Sequence, residues 1–163
     1  MSDSVLHSLI REFGAAIGLE EMAFDDQQRC NLMFDDVPVS LELSGGEDSL
    51  YIYSVLGPEP AEGAKELYSE LLKANYAFAQ TGGATLALDP GGGGIVLMRE
   101  EPLEILHLPQ LEALIENFVN TAEGLIASVA EASLSNAAQA IDSEPGGQAG
   151  DGDGAPMAGT MRV

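Results

Sequence analysis

The stretch that decides the fold is Cys30-Asn31-Leu32-Met33-Phe34-Asp35-Asp36-Val37-Pro38-Val39-Ser40-Leu41-Glu42-Leu43, continued by Ser44-Gly45-Gly46-Glu47-Asp48-Ser49 and Leu50-Tyr51-Ile52-Tyr53-Ser54-Val55. Residues 30–34 form a first strand, and the paired acids Asp35-Asp36 supply a turn. In residues 37–43, Val37, Val39, Leu41 and Leu43 alternate with Pro38, Ser40, Glu42 and Ser44, the period of a half-buried strand. Residues 44–48 turn the chain again, and residues 50–55 are rich in β-formers. Connections this short join antiparallel neighbours, because a parallel crossover needs a dozen residues or more.

Upstream, Val5, Leu6, Leu9, Ile10, Phe13 and Ile17 recur at helical spacing, so a helix is expected over 3–16, with Gly18 as its stop. A turn-rich bridge, 20–28, leads into the first strand. Downstream, Gly57-Pro58-Glu59-Pro60 breaks the sheet before a second helix, 61–77, striped by Ala64, Leu67, Tyr68, Leu71, Leu72 and Asn75. Strands at 84–89 and 95–100 flank the loop Pro90-Gly91-Gly92-Gly93-Gly94. A final helix, 109–132, carries Leu111, Leu114, Ile115, Phe118, Val119, Ala122, Leu125, Ile126 and Val129 on one stripe, with Glu112, Glu116, Glu123 and Glu131 on the wet side. The order α-β-β-β-α-β-β-α predicts an α+β fold: a mostly antiparallel twisted sheet packed against helices. From Ser133 the apolar period fades and Gly, Ala, Ser and Pro dominate. The expected division is therefore a domain of 1–132 and a disordered tail of 133–163.

The chain holds 27 Asp and Glu against 6 Lys and Arg, a net charge of −21 over 163 residues. Only Asp142, Glu144, Asp151, Asp153 and Arg162 fall in the expected tail, so the charge belongs to the folded part. A surface this negative repels phosphate backbones, which makes nucleic acid an unexpected partner. The lone Cys30 excludes an internal disulfide, no run is long and apolar enough to span a bilayer, and no leader of the secretory type opens the chain. The expectation is a soluble protein of the cytoplasm.

No catalytic constellation emerges. A phosphate loop needs a Lys and a helix after its glycines, yet Ile95-Val96-Leu97 follows Gly94, which reads as a strand. Asp25-Asp26 and Asp35-Asp36 lack the alternate spacing of a calcium loop and sit where turns are expected. His7 and His107 have no partner at ligand spacing, and Cys30 alternates with Leu32 and Phe34 as a small packing residue. Neither enzyme activity, metal nor cofactor is expected. The informative surplus is apolar: Leu50 and Ile52 point to one face of their strand, Tyr51, Tyr53 and Val55 to the other. A sheet with helices on one side needs only one such face. The last helix and a partner subunit could cover the rest, or the rest could dock a polypeptide; both can hold.

Leu19, Met22, Phe24-Asp25, the run from Cys30 to Asp36 and Val39-Ser40-Leu41-Glu42-Leu43 resemble the class I type III secretion chaperones, the Tir-chaperone (CesT-like) family. The resemblance spans 1–132 in element order, size and acidity. It departs at Gln28-Arg29, where that family commonly has a Gly before the Cys, and in everything after Ser133. It implies a homodimer in the bacterial cytoplasm that binds the N-terminal chaperone-binding segment of a secreted effector, with no nucleotide and no membrane insertion. A client of this kind would add a strand to an exposed sheet edge and sink apolar side chains into surface patches. By the same resemblance Leu32, Phe34, Val39, Leu41, Tyr51 and Tyr53 are the expected effector-binding residues, and Leu72, Tyr76, Phe78, Leu86 and Leu88 the expected dimer interface. The competing expectation is a regulatory or scaffold module of this fold that binds a folded partner.

Overall fold

The computed structural model describes residues 2–46, 48–61 and 63–142. Helix α1 (Ser2–Ala16) leads to strands β1 (Arg29–Phe34), β2 (Val37–Leu43) and β3 (Ser49–Gly57). Helix α2 (Ala64–Ala74) and a 3₁₀ turn (Tyr76–Phe78) precede β4 (Thr85–Leu88) and β5 (Ile95–Pro102). A second 3₁₀ turn (Leu103–Ile105) opens into the long helix α3 (Leu108–Asp142). The strands form one sheet in the order β1-β2-β3-β5-β4, each pair antiparallel. The α+β class and the element order expected from the sequence are those of the structure. What periodicity did not supply is the crossover: α2 carries the chain past β5 to the far edge, and β5 returns between β3 and β4.

Register fixes which side chains share a face. Cys30 pairs with Leu41, Leu32 with Val39, Leu41 with Ile52 and Leu43 with Leu50, so these line one face together. Helices α1 and α3 pack on that face. Leu6, Ile10 and Phe13 of α1 meet Leu111, Ile115, Phe118, Ala122 and Val129 of α3 in a core where nearly every side chain is sealed from water. Each large aliphatic side chain so buried contributes about 1.5–3 kcal/mol, which makes this layer the main source of stability. The opposite face is a different surface. Pro38, Tyr51, Tyr53 and Val96 are half-buried there, while Met33, Val55 and Met98 are exposed.

Two helices differ most from expectation in their bounds. Helix α2 starts at Ala64, because Gly63 takes the left-handed conformation with φ 69°, and it ends at Ala74 instead of residue 77. Helix α3 runs ten residues past 132, to Asp142. The apolar stripe that marks its packed half ends near Ala132, but alanine-rich sequence sustains a helix without one. Residues 143–163, which hold most of the expected disordered tail, lie outside the described residues.

Candidate functional site

Strand β1 is an outermost strand with β2 as its only strand neighbour among the described residues. The approach to it is tightly built. The Asp25 carboxylate accepts hydrogen bonds from the Gln27 and Arg29 amides at 2.8 and 2.9 Å. The Asp25 amide in turn donates to the Arg29 carbonyl at 2.8 Å. The acid pair is thus the turn element it was expected to be. Upstream, the Leu19 amide donates to the Gly14 carbonyl at 2.7 Å around Gly18, which adopts φ 83° and ends α1. Between these turns and β1 lies a cleft of about 770 Å³, lined among others by Leu19, Met22, Asp25, Cys30 and Leu32. Cys30 is buried, and burial followed by the charge of Asp25 pushes its thiol up. It is a protonated packing residue, not a nucleophile.

The six residues expected to bind a client do not form one patch. Leu32 and Phe34 are half-buried on the helix-covered face of the edge strand. Val39 and Leu41, 1% and 0% exposed, lie in the core and not on the surface where the expectation set them. Tyr51 and Tyr53 lie on the opposite face, because register sets them across from Glu42 and Ser40. Glu42 ties this face together, accepting the Arg29 guanidinium at 2.9 Å and the Tyr53 hydroxyl at 3.3 Å. The alternation of β2 carried a usable signal: its polar parity contains Ser40 and Glu42, so Val39 and Leu41 belong inside.

The opposite edge of the sheet is β4, and α2 lies beside it. Here Leu72, Tyr76, Phe78 and Leu88 are exposed by 70, 81, 55 and 42%. Leu86 is buried instead, which corrects its place in the expected interface from contact to floor. It lies with Tyr68, Leu71, Leu72, Asn75 and Leu88 around a largely hydrocarbon groove of about 310 Å³. Asn75 was read only as part of the apolar stripe. Its side chain accepts from the Leu86 amide at 2.8 Å and donates to the Leu86 carbonyl at 3.1 Å. A side-chain amide thereby occupies the position another strand would take and closes this edge. Just beyond, Ala77 and Phe78 both have positive φ, 52° and 56°, a conformation that costs non-glycine residues roughly 1–2 kcal/mol each.

The remaining expected chemistry is accounted for locally. The Asp89 carboxylate accepts from the Gly91 amide at 2.8 Å and the Gly93 amide at 3.1 Å, so these donors of the glycine loop already face an anion of the chain itself. Gly94 could not carry a side chain, since a Cβ there would sit 2.3 Å from the Gly57 carbonyl oxygen. His7 packs against Phe24 with ring centroids 5.5 Å apart and planes tilted by 39°, and the His107 amide donates to Gln110 Oε1 at 3.2 Å as half of a capping box. Among the described residues no group of three or more His, Cys, Asp or Glu is placed to hold a metal ion. No described helix is long and apolar enough to cross a membrane.

An edge strand beside a cleft of mixed polar and apolar lining, and a second edge flanked by exposed hydrocarbon, are features shared by surfaces that bind polypeptide. The profile of the Tir chaperone protein (CesT) family matches residues 8–125, and the chain belongs to that family. It is 27% identical over 117 residues to the Tir chaperone of Escherichia coli O157:H7, covering 72% of this chain and 74% of that one. Among solved structures its fold is similar to that in the HopA1-SchA chaperone–effector complex, at TM-score 0.66 and 21% identity over 78% of this chain and 97% of the other. The ExsC-ExsE complex is similar at TM-score 0.66 and 23% identity, over 77% and 93% of the two chains.

Proposed function

We propose that this protein is a non-catalytic chaperone of the bacterial cytoplasm that binds the N-terminal chaperone-binding segment of a type III secreted effector and keeps it soluble and competent for export. The observation that carries this reading is the β1 edge lying beside the cleft of Leu19, Met22 and Leu32. An extended guest gains backbone hydrogen bonds from the edge and seats apolar side chains in the cleft, so the edge supplies affinity and the cleft choice. Ordering an unfolded segment is costly, so the contact must be long. The acidic surface keeps the complex soluble while apolar ground stays open for the guest. Family membership supports the same reading. The protein works as a homodimer joined through the α2–β4 face, where Leu72, Tyr76, Phe78 and Leu88 leave hydrocarbon in water.

The test begins with partners captured from the native bacterium and identified by mass spectrometry. The captured partner is then followed by hydrogen exchange with and without this chain. Backbone protection restricted to an otherwise unstructured N-terminal segment is the expected result, lost when Leu19, 48% exposed at the cleft, becomes Asp. Protection spread over a folded partner would instead establish the scaffold reading.

A further inference from the structure

The first turns of α1, the tip of the β2–β3 hairpin and the 3₁₀ turn after β5 enclose a second groove, of about 700 Å³. Its walls are Val5, Leu9, Pro102, Leu103 and Leu106. Val5 is 68% exposed, and Ile105, next to Leu106 in the same turn, is 64% exposed. The groove is built rather than left over. The Leu103 amide donates to the Asp48 carbonyl at 2.9 Å, which fastens the turn to the hairpin. The Ser44 hydroxyl holds the Asp48 carboxylate at 2.8 Å.

The rim is acidic. Asp48 and Glu104 line the groove, and no Lys or Arg is among its lining residues. Arg29 and Arg99, two of the chain's six bases, are each already held by a carboxylate. The charged side chains that line the groove are therefore all negative. A second copy is a poor occupant of this groove, since the subunit contact proposed above uses the α2–β4 face and an acidic rim gains nothing from another acidic surface. An apolar residue followed by a cation fits both wall and rim.

Helix α1 joins this groove to the cleft beside β1. Val5 and Leu9 line the one, and Gly18 and Leu19, just past the end of the helix, line the other. Along the axis Val5 and Gly18 are roughly 20 Å apart, a span that an extended chain crosses in about six residues. We propose that the client segment continues along α1 from the β1 cleft into this second groove, and is recognised there as a bulky apolar side chain followed by Lys or Arg. This rests on the client reading above and adds the charge and spacing of the client's anchors.

The test uses the full chain and two fluorescein-labelled synthetic peptides of about 20 residues, with two Leu-Ile pairs about six residues apart. In one peptide two lysines follow the second pair; in the other, two glutamates do. Anisotropy should give the lysine peptide at least about tenfold higher affinity at low salt. Both Val5→Ser and Glu104→Gln change exposed side chains, so the fold should persist on circular dichroism. The first should weaken the lysine peptide about tenfold, and the second should reduce its advantage over the glutamate peptide about threefold. Methyl signals of Val5, Leu9, Leu103 and Leu106 should shift on binding. Equal affinity for the two peptides overturns the proposal, as do unshifted groove methyls or shifts that follow protein concentration instead of peptide. If the lysine peptide moves only the Leu19, Met22 and Leu32 methyls, the groove assignment fails while the client reading stands. If those three stay still while the groove methyls move, the β1-cleft reading fails instead.

Discussion

The two edges of the sheet differ in what they leave undone. At β4 the Leu86 backbone is satisfied by the Asn75 side chain, while Leu72, Tyr76 and Phe78 stand in water around it. At β1 the edge is strand-free among the described residues, and the cleft beside it mixes apolar Leu19, Met22 and Leu32 with Asp25, Glu20 and Glu21. A closed edge with exposed hydrocarbon suits a preformed, side-chain-led contact such as one between identical subunits. An open edge with a wider cleft of mixed polar and apolar lining suits a partner that arrives as bare backbone. On the proposed function, the same sheet would keep one edge for a second subunit and the other for a guest.

The comparison can be broken at several points. The largest effect should come from Leu41→Asp, which sets an unpaired carboxylate in the sealed core between the two edges. A loss of more than about 4 kcal/mol, read as a collapsed thermal transition, is expected there. Leu19→Asp at the open edge should leave the transition in place. If both variants melt alike, the division between core and client surface is wrong.

Next in size is the pair Leu72→Glu and Tyr76→Glu, both on the exposed α2 face. Equilibrium sedimentation should show the dimer weakened about a hundredfold, near 3 kcal/mol, with secondary structure intact. Unchanged association would move the subunit contact elsewhere.

Asn75→Ala should cost about 1–3 kcal/mol in denaturant unfolding, because the Leu86 amide and carbonyl lose their partner. It should also reopen the β4 edge, visible as faster amide exchange at Leu86. A variant that melts like the parent would make the two edges equivalent after all.

The smallest effect sharpens the contrast. Ala77→Gly should stabilise the isolated chain by roughly 1 kcal/mol, since φ 52° is free for glycine and not for alanine. A destabilised Ala77→Gly variant would mean that the alanine methyl packs on something essential at the closed edge.

Much of the fold was legible because it is local. Asp35 at φ 51° and the Asp25 bridge do what short acidic turn residues do anywhere. The stripe from Leu111 to Val129 needs only its own spacing to mark the buried side of α3. The candidate site was less legible. Val39 and Leu41 were grouped with Tyr51 and Tyr53 although the pleat sends them to opposite faces. The second groove has no local signature, since Val5 and the pair Leu103 and Leu106 are far apart in the chain. Asn75 hid inside an apolar stripe because nothing local says that a side-chain amide will meet a strand edge eleven residues on.

The sequence alone determined the elements and their order, the turns between them, the acidic surface and the single-stripe helix, because each follows from propensities, periods and charges that act over a few residues. The tertiary structure alone decided how the inward faces of separate strands align into one sealed layer, that β5 lies between β3 and β4, and that, among the described residues, one sheet edge is closed while the other stays open. Those outcomes depend on register and on which distant segments meet. A one-residue change of pairing would reverse every face while leaving the local pattern untouched.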